Sequence, residues 1–189
     1  MEISLIRHGK SLCNDNTPIP YSTFKEWVEE YDNAGVFEEE TYPSKSIEKV
    51  SSSHLVFTSH LKRAVHSASI LSPTITPEID ATFREVELPT LVKVHEKILL
   101  PPTVWLVIVR MIWFLGYSKG CESSKHAKER AVRATEQLSE AARKHHHIVL
   151  VGHGFFNKMI AKELKRNGWK NRKMSTKHWV CHTFSMSNE

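Results

Sequence analysis

A chain of 189 residues, 40% hydrophobic and 25% charged, is long enough to bury one substantial core. Its three cysteines, Cys13, Cys121 and Cys181, are odd in number and sit at no metal-ligand spacing. This excludes a disulfide framework and points to a reducing, cytoplasmic setting. The formal charge of +5 comes with no nucleic-acid motif, so no nucleic-acid partner is expected and the excess reads as a mildly basic surface.

Residues 2–6 (EISLI) read as a short buried strand, and Arg7 and His8 interrupt any leader-like apolar run. Residues 15–44 read as mixed and turn-rich, broken by Pro18, Pro20 and Pro43. A short helix is expected over 46–52 and a second strand over 54–59. In 60–71, Leu61, Ala64, Val65, Ala68 and Leu71 share one helical face. Residues 74–79 read as an edge strand, because Pro77 lacks the donor an interior strand needs. A long polar helix is expected over 124–146, ending in His145, His146 and His147, where cationic side chains suit the negative end of the helix dipole. A buried strand then closes in Gly152-His153-Gly154, a helix follows over 155–168, and 178–186 alternates like a final strand. Alternating strands and helices predict an α/β fold: a three-layer α/β/α sandwich around a mostly parallel sheet. In such sheets functional groups gather beyond the carboxyl ends of the strands, which is where His8, Ser59 and His153 fall.

Charge is unevenly spread. Residues 26–40 hold seven acids and no Lys or Arg, whereas 158–177 hold eight cations, Arg172 and Lys173 among them, against Glu163. Both read as solvated faces. The apolar run 98–117 matches a bilayer in length, but Pro101-Pro102 break it and Arg110 lies inside the remainder. A mid-membrane charge costs roughly 2.5–3.5 kcal/mol, and a single span would put His8 and His153 on opposite sides. The run therefore reads as a helix after the proline pair, packed over the site or into a subunit interface. Peripheral membrane contact by 103–117 is the minority reading.

Four ordered motifs then resemble the histidine phosphatase superfamily, the phosphoglycerate-mutase-like proteins: "RHGKSLCN" (7–14), "SHLKRAVHSA" (59–68), "FREVELP" (83–89) and "VGHGFFN" (151–157), with "GCES" (120–123) opening the long helix. The resemblance implies one such domain over 1–189, with 86–122 as a cap. It implies phosphate-monoester hydrolysis without metal or cofactor. His8 would be the nucleophile, because a neutral imidazole attacks phosphorus well and forms a phosphohistidine. Arg7 and Arg63 would keep it neutral and grip the phosphoryl oxygens with forked donors. His153 would be a second phosphate ligand and Asn14 a neutral donor. Gly9 and Gly154 would let backbone approach the phosphate, and Ser11 would hold the loop or cap a turn. Glu85 would be the proton donor and later the base, although alternation alone does not separate it from Glu87. If the two histidines share one phosphate, their rings lie within ~8 Å of each other.

Lys10 and Pro89 depart from the family pattern and bear on the substrate more than on the reaction. Trp105, Trp113 and Phe114 in the insert suggest a small or partly apolar phosphate ester; a phosphoprotein is the other substrate class. The alternatives to a phosphatase are a phosphoglycerate-type mutase and a non-catalytic phosphate-binding protein.

Overall fold

The strand residues sort their side chains by parity, and that sorting builds the layers. In the computed structural model, which describes residues 1–92, 94–171 and 174–187, five strands form one sheet in the order β3-β2-β4-β1-β5. These are β1 (Glu2–Arg7), β2 (Leu55–Thr58), β3 (Glu78–Ile79), β4 (His147–Gly152) and β5 (Cys181–Ser185), with only β5 antiparallel. Ile3, Leu5, Phe57, Ile148 and Leu150 point to one face. There they meet the long helix α5 (Ser124–His145) through Ala131, Ala134 and Leu138, and α6 (Gly154–Arg166) through Phe156 and Ile160. Ile6, Val56, Val149 and Val151 point the other way, onto Val50 of α2 (Ser44–Ser51) and Ala68 and Leu71 of α3 (Lys62–Leu71). Strands buried on both faces read as continuous apolar runs, and parallel strands need the helical crossovers that cover them. The expected α/β architecture is the observed one.

Two local expectations change. The edge strand is only Glu78–Ile79, because the ladder to β2 extends no further than Phe57 and Thr58. The stretch read as turn-rich contains a 13-residue helix, α1 (Tyr21–Asn33). Its acids are mostly exposed, while Tyr21, Phe24, Val28 and Tyr31 recur at helical spacing and Pro20 precedes its first turn.

Helix α4 (Pro102–Phe114) starts directly after Pro101 and buries Trp105, Val109 and Trp113, spaced four apart. Trp105 meets Tyr21 edge-on at 5.4 Å, and its Nε1–H donates to the Ile19 carbonyl at 2.9 Å, which joins α4 to α1. The opposite stripe, Val104, Val107, Met111 and Phe114, is exposed. No helix among the described residues is long and apolar enough to cross a membrane. The histidine triplet divides as its backbone dictates: α5 ends at His145, His146 turns the chain at φ 63°, and His147 opens β4. Arg172 and Lys173 of the basic stretch lie outside the described residues.

Candidate active site

Three adjacent strand ends make the floor of the site. Parallel β1 and β4 run in register from Glu2↔His147 to Arg7↔Gly152, so the next residues, His8 and His153, emerge side by side. The His8 N–H donates to the Gly152 carbonyl at 2.9 Å, and the two imidazole centroids are 5.2 Å apart. That is within the reach of one shared phosphate. On the other side of β4, β2 ends at Thr58, and Ser59 Oγ lies 2.6 Å from His153 Nε2.

Both histidines are buried and, among the described residues, carry no carboxylate partner. Burial first, then the Arg63 guanidinium, holds His8 well below the ordinary histidine range. Burial and then His8 itself do the same to His153. The His8 Nδ1–H donates to the Gly9 carbonyl at 2.7 Å. A carbonyl can only accept, so the neutral ring carries its proton on Nδ1 and its lone pair on Nε2.

Arg63, in the first turn of α3, donates to Asp32 Oδ1 at 2.6 Å and stacks over the Tyr31 ring at 4.7 Å. Arg7 donates to the Thr176 carbonyl at 2.5 Å. Arg7 Nε, Arg63 Nε and His153 Nδ1 are buried without a partner among the described residues. Buried donors are normally satisfied, so such a convergence is unusual away from a ligand site.

Glu85 sits at the start of α6. Its carboxylate accepts from the N–H of Phe155 at 3.1 Å, Phe156 at 2.9 Å and Val86 at 2.9 Å, satisfying open donors of that helix from outside it. Glu87 is turned elsewhere, to Arg84 at 3.3 Å and the Glu122 N–H at 3.0 Å. The segment is held by Arg130, which donates to the Thr82 and Arg84 carbonyls at 2.8 Å and forks onto the Glu122 carboxylate. The "GCES" glutamate is thus a support of the Glu85 loop.

Arg7, His8, Arg63 and Glu85 line one cleft of about 510 Å³, and His153 packs directly against the His8 ring. Other expected site residues lie outside the cleft. Asn14 is exposed, because the chain turns away from the floor after Ser11. Ser11 Oγ accepts the Cys13 N–H at 3.2 Å and braces the turn. A Cβ on Gly9 would come within 2.1 Å of the Trp179 ring, and one on Gly154 within 3.0 Å of Arg7 Nε. Those glycines make room for protein side chains. Lys10 is exposed and lies over the Phe37 ring at 5.7 Å, also outside the cleft.

Sequence reasoning missed His178, whose Nδ1–H donates to the His8 carbonyl at 2.7 Å with its ring 5.5 Å from His8. It also missed Asp32, Arg84 and Arg110 as cleft residues. The helical spacing of α1 could have found Asp32 one turn beyond Val28. No local signal marks His178. Among the described residues no cluster of three or more His, Cys, Asp or Glu could hold a metal ion.

A sequence model described as histidine phosphatase superfamily (branch 1) matches residues 44–186, more than half of the chain. No curated protein sequence matches. Among solved structures, the chain is similar to TTHB049 from Thermus thermophilus at 23% identity, covering 87% of this chain and 85% of that one with a TM-score of 0.52. It is similar to an alpha-ribazole phosphatase from Shigella flexneri at 18% identity, covering 87% and 79% with a TM-score of 0.53. It is also similar to a mycobacterial glucosyl-3-phosphoglycerate phosphatase at 15% identity, covering 87% and 79% with a TM-score of 0.54. At these identities the likeness is one of fold.

Proposed function

Because the chain belongs to branch 1 of the histidine phosphatase superfamily, we propose that it hydrolyses a phosphate monoester through a phosphohistidine on His8. The observation that carries this is the pair of neutral imidazoles 5.2 Å apart, beside two arginines whose Nε donors have no partner among the described residues. Phosphoryl transfer is chiefly positioning and charge stabilisation, which such a set supplies. In the first step the His8 Nε2 lone pair forms a bond to phosphorus as the ester P–O bond breaks. The leaving alkoxide takes a proton from Glu85. In the second step water attacks the phosphohistidine and gives its proton to Glu85, the P–N bond breaks, and inorganic phosphate leaves. Arg7, Arg63 and His153 hold the non-bridging oxygens throughout. In the tautomer where the Ser59 hydroxyl donates to His153 Nε2 across their 2.6 Å contact, Nδ1–H is left to donate to phosphate. The substrate class is a phosphorylated small molecule.

Hydrolysis of a generic aryl phosphate by the wild type, absent in a folded His8→Ala variant, is the expected result. Alkali-quenched protein carrying alkali-stable, acid-labile phosphate should accompany it. Equal turnover in the two proteins would sink the assignment. Transfer between positions of phosphoglycerate with little free phosphate would favour the mutase reading instead.

A further inference from the structure

The cleft has two chemistries. Its floor is the polar set at the strand ends, but α1 and α4 wall it with Trp27, Val28, Leu106, Val107 and Met111, joined by Leu88. Val107 and Met111 are 62% and 57% exposed, and α4 already has its core anchors in Trp105, Val109 and Trp113. Large apolar side chains at a cleft lip that do nothing for the core are surface a ligand can cover. The charges among them are committed. Arg84 pairs with Glu87 and Glu122, while Arg110 donates to the Val86 carbonyl at 2.6 Å and the Glu87 carbonyl at 3.2 Å and lies over the Phe155 ring. The two acids on the wall are paired as well, Asp32 with Arg63 and Glu87 with Arg84. A leaving group with its own carboxylate or second phosphate meets wall arginines that already donate to carboxylates or backbone carbonyls. An apolar one meets six apolar side chains.

We infer that the ligand of this site is the phosphate monoester of an apolar alcohol, with its phosphate at Arg7, Arg63 and the histidines and its hydrocarbon between α1 and α4. This rests on the proposed phosphatase reading for turnover, but not for binding. The test uses the full chain and n-alkylphosphonates from methyl to octyl, which cannot be hydrolysed, with Kd by titration calorimetry. Matching n-alkyl phosphates are assayed for phosphate release. Burial of each methylene should tighten binding by about two- to fourfold, so octylphosphonate binds at least about a hundredfold more tightly than methylphosphonate. A 2,3-dihydroxypropylphosphonate should bind no better than the methyl compound. Val107→Ser and Met111→Ser should each lower the octyl-to-methyl affinity ratio by at least about threefold, a ratio read within each protein and so insensitive to the folded fraction. Equal affinity along the series, or a ratio unmoved in both variants, overturns the inference whatever the turnover. Length-dependent binding without phosphate release upholds the ligand class and overturns the phosphatase reading.

Discussion

Mild acid should destabilise this protein through the same two histidines that face each other in the site. In the folded chain His8 is held neutral by burial and then by Arg63, and His153 by burial and then by His8. In the unfolded chain each titrates near the ordinary ~6.5. Below that value the unfolded chain binds protons that the folded chain excludes. Stability is therefore complete above about pH 7 and falls as the pH drops. Each histidine contributes a slope of ~1.4 kcal/mol per pH unit once its unfolded form is protonated. While both folded rings stay neutral, the pair approaches ~2.7 kcal/mol per unit. Against a total stability of roughly 5–15 kcal/mol for a typical domain this is a large share. Glu2, held low chiefly by its bond from Lys49, and Asp80, held low despite burial by bonds from Thr82 and Gln137, act in the same sense. They do so only below the ordinary carboxylate range, which leaves the window between pH 5 and 6.5 to histidine. His178, also pushed down by burial, adds a smaller share of the same sign. Urea denaturation at half-unit pH steps reads the slope directly. A His8→Asn/His153→Asn double variant should lose most of it. A wild-type stability flat from pH 6.5 to 5.0, or a slope unchanged in the double variant, would refute the burial argument.

Three further outcomes are expected. Gly9→Ala places a methyl where the Trp179 ring lies, 2.1 Å away, so it should cost about 1–3 kcal/mol in denaturation and lower turnover by moving the His8 loop. Arg130→Ala leaves the half-buried Glu122 carboxylate only its longer contact to Arg84 and releases the Thr82 and Arg84 carbonyls, which should cost about 1–3 kcal/mol and show as a lowered Tm. Glu85→Gln keeps the side chain's length but removes the proton donor and base, and turnover of an aryl phosphate should fall by about 10²–10⁴-fold. In the same variant the start of α6 should lose only about 1 kcal/mol of capping, so a mainly structural Glu85 would reveal itself by loss of stability without loss of kcat.

Legibility in the sequence followed the range of the forces involved. A strand's apolar run and the residue at its end are local, so His8, Ser59 and His153 could be placed at strand ends before any contact was known. Helix α1 was missed because its acids and the flanking prolines outweigh a modest apolar stripe. That stripe becomes a helix when Tyr21 and Phe24 bury against Trp105 of a segment far along the chain. Glu85 and Glu87 differ by one alternation in sequence. Their separation comes from the open N–H groups of α6, which only the packed fold brings to Glu85.

By itself the chain determined the layers and the placing of His8, Ser59 and His153 at strand ends, because strand parity and strand ends are set by covalent spacing; Arg7 and Arg63 joined them only through the resemblance of the motifs. Tertiary structure decided what those groups face. It turned Asn14 and Lys10 outward and gave Gly9 to Trp179. It brought His178 to the His8 carbonyl and walled the polar floor with α1 and α4. Burial and electrostatic neighbourhood depend on elements distant in the chain, and no local pattern encodes them.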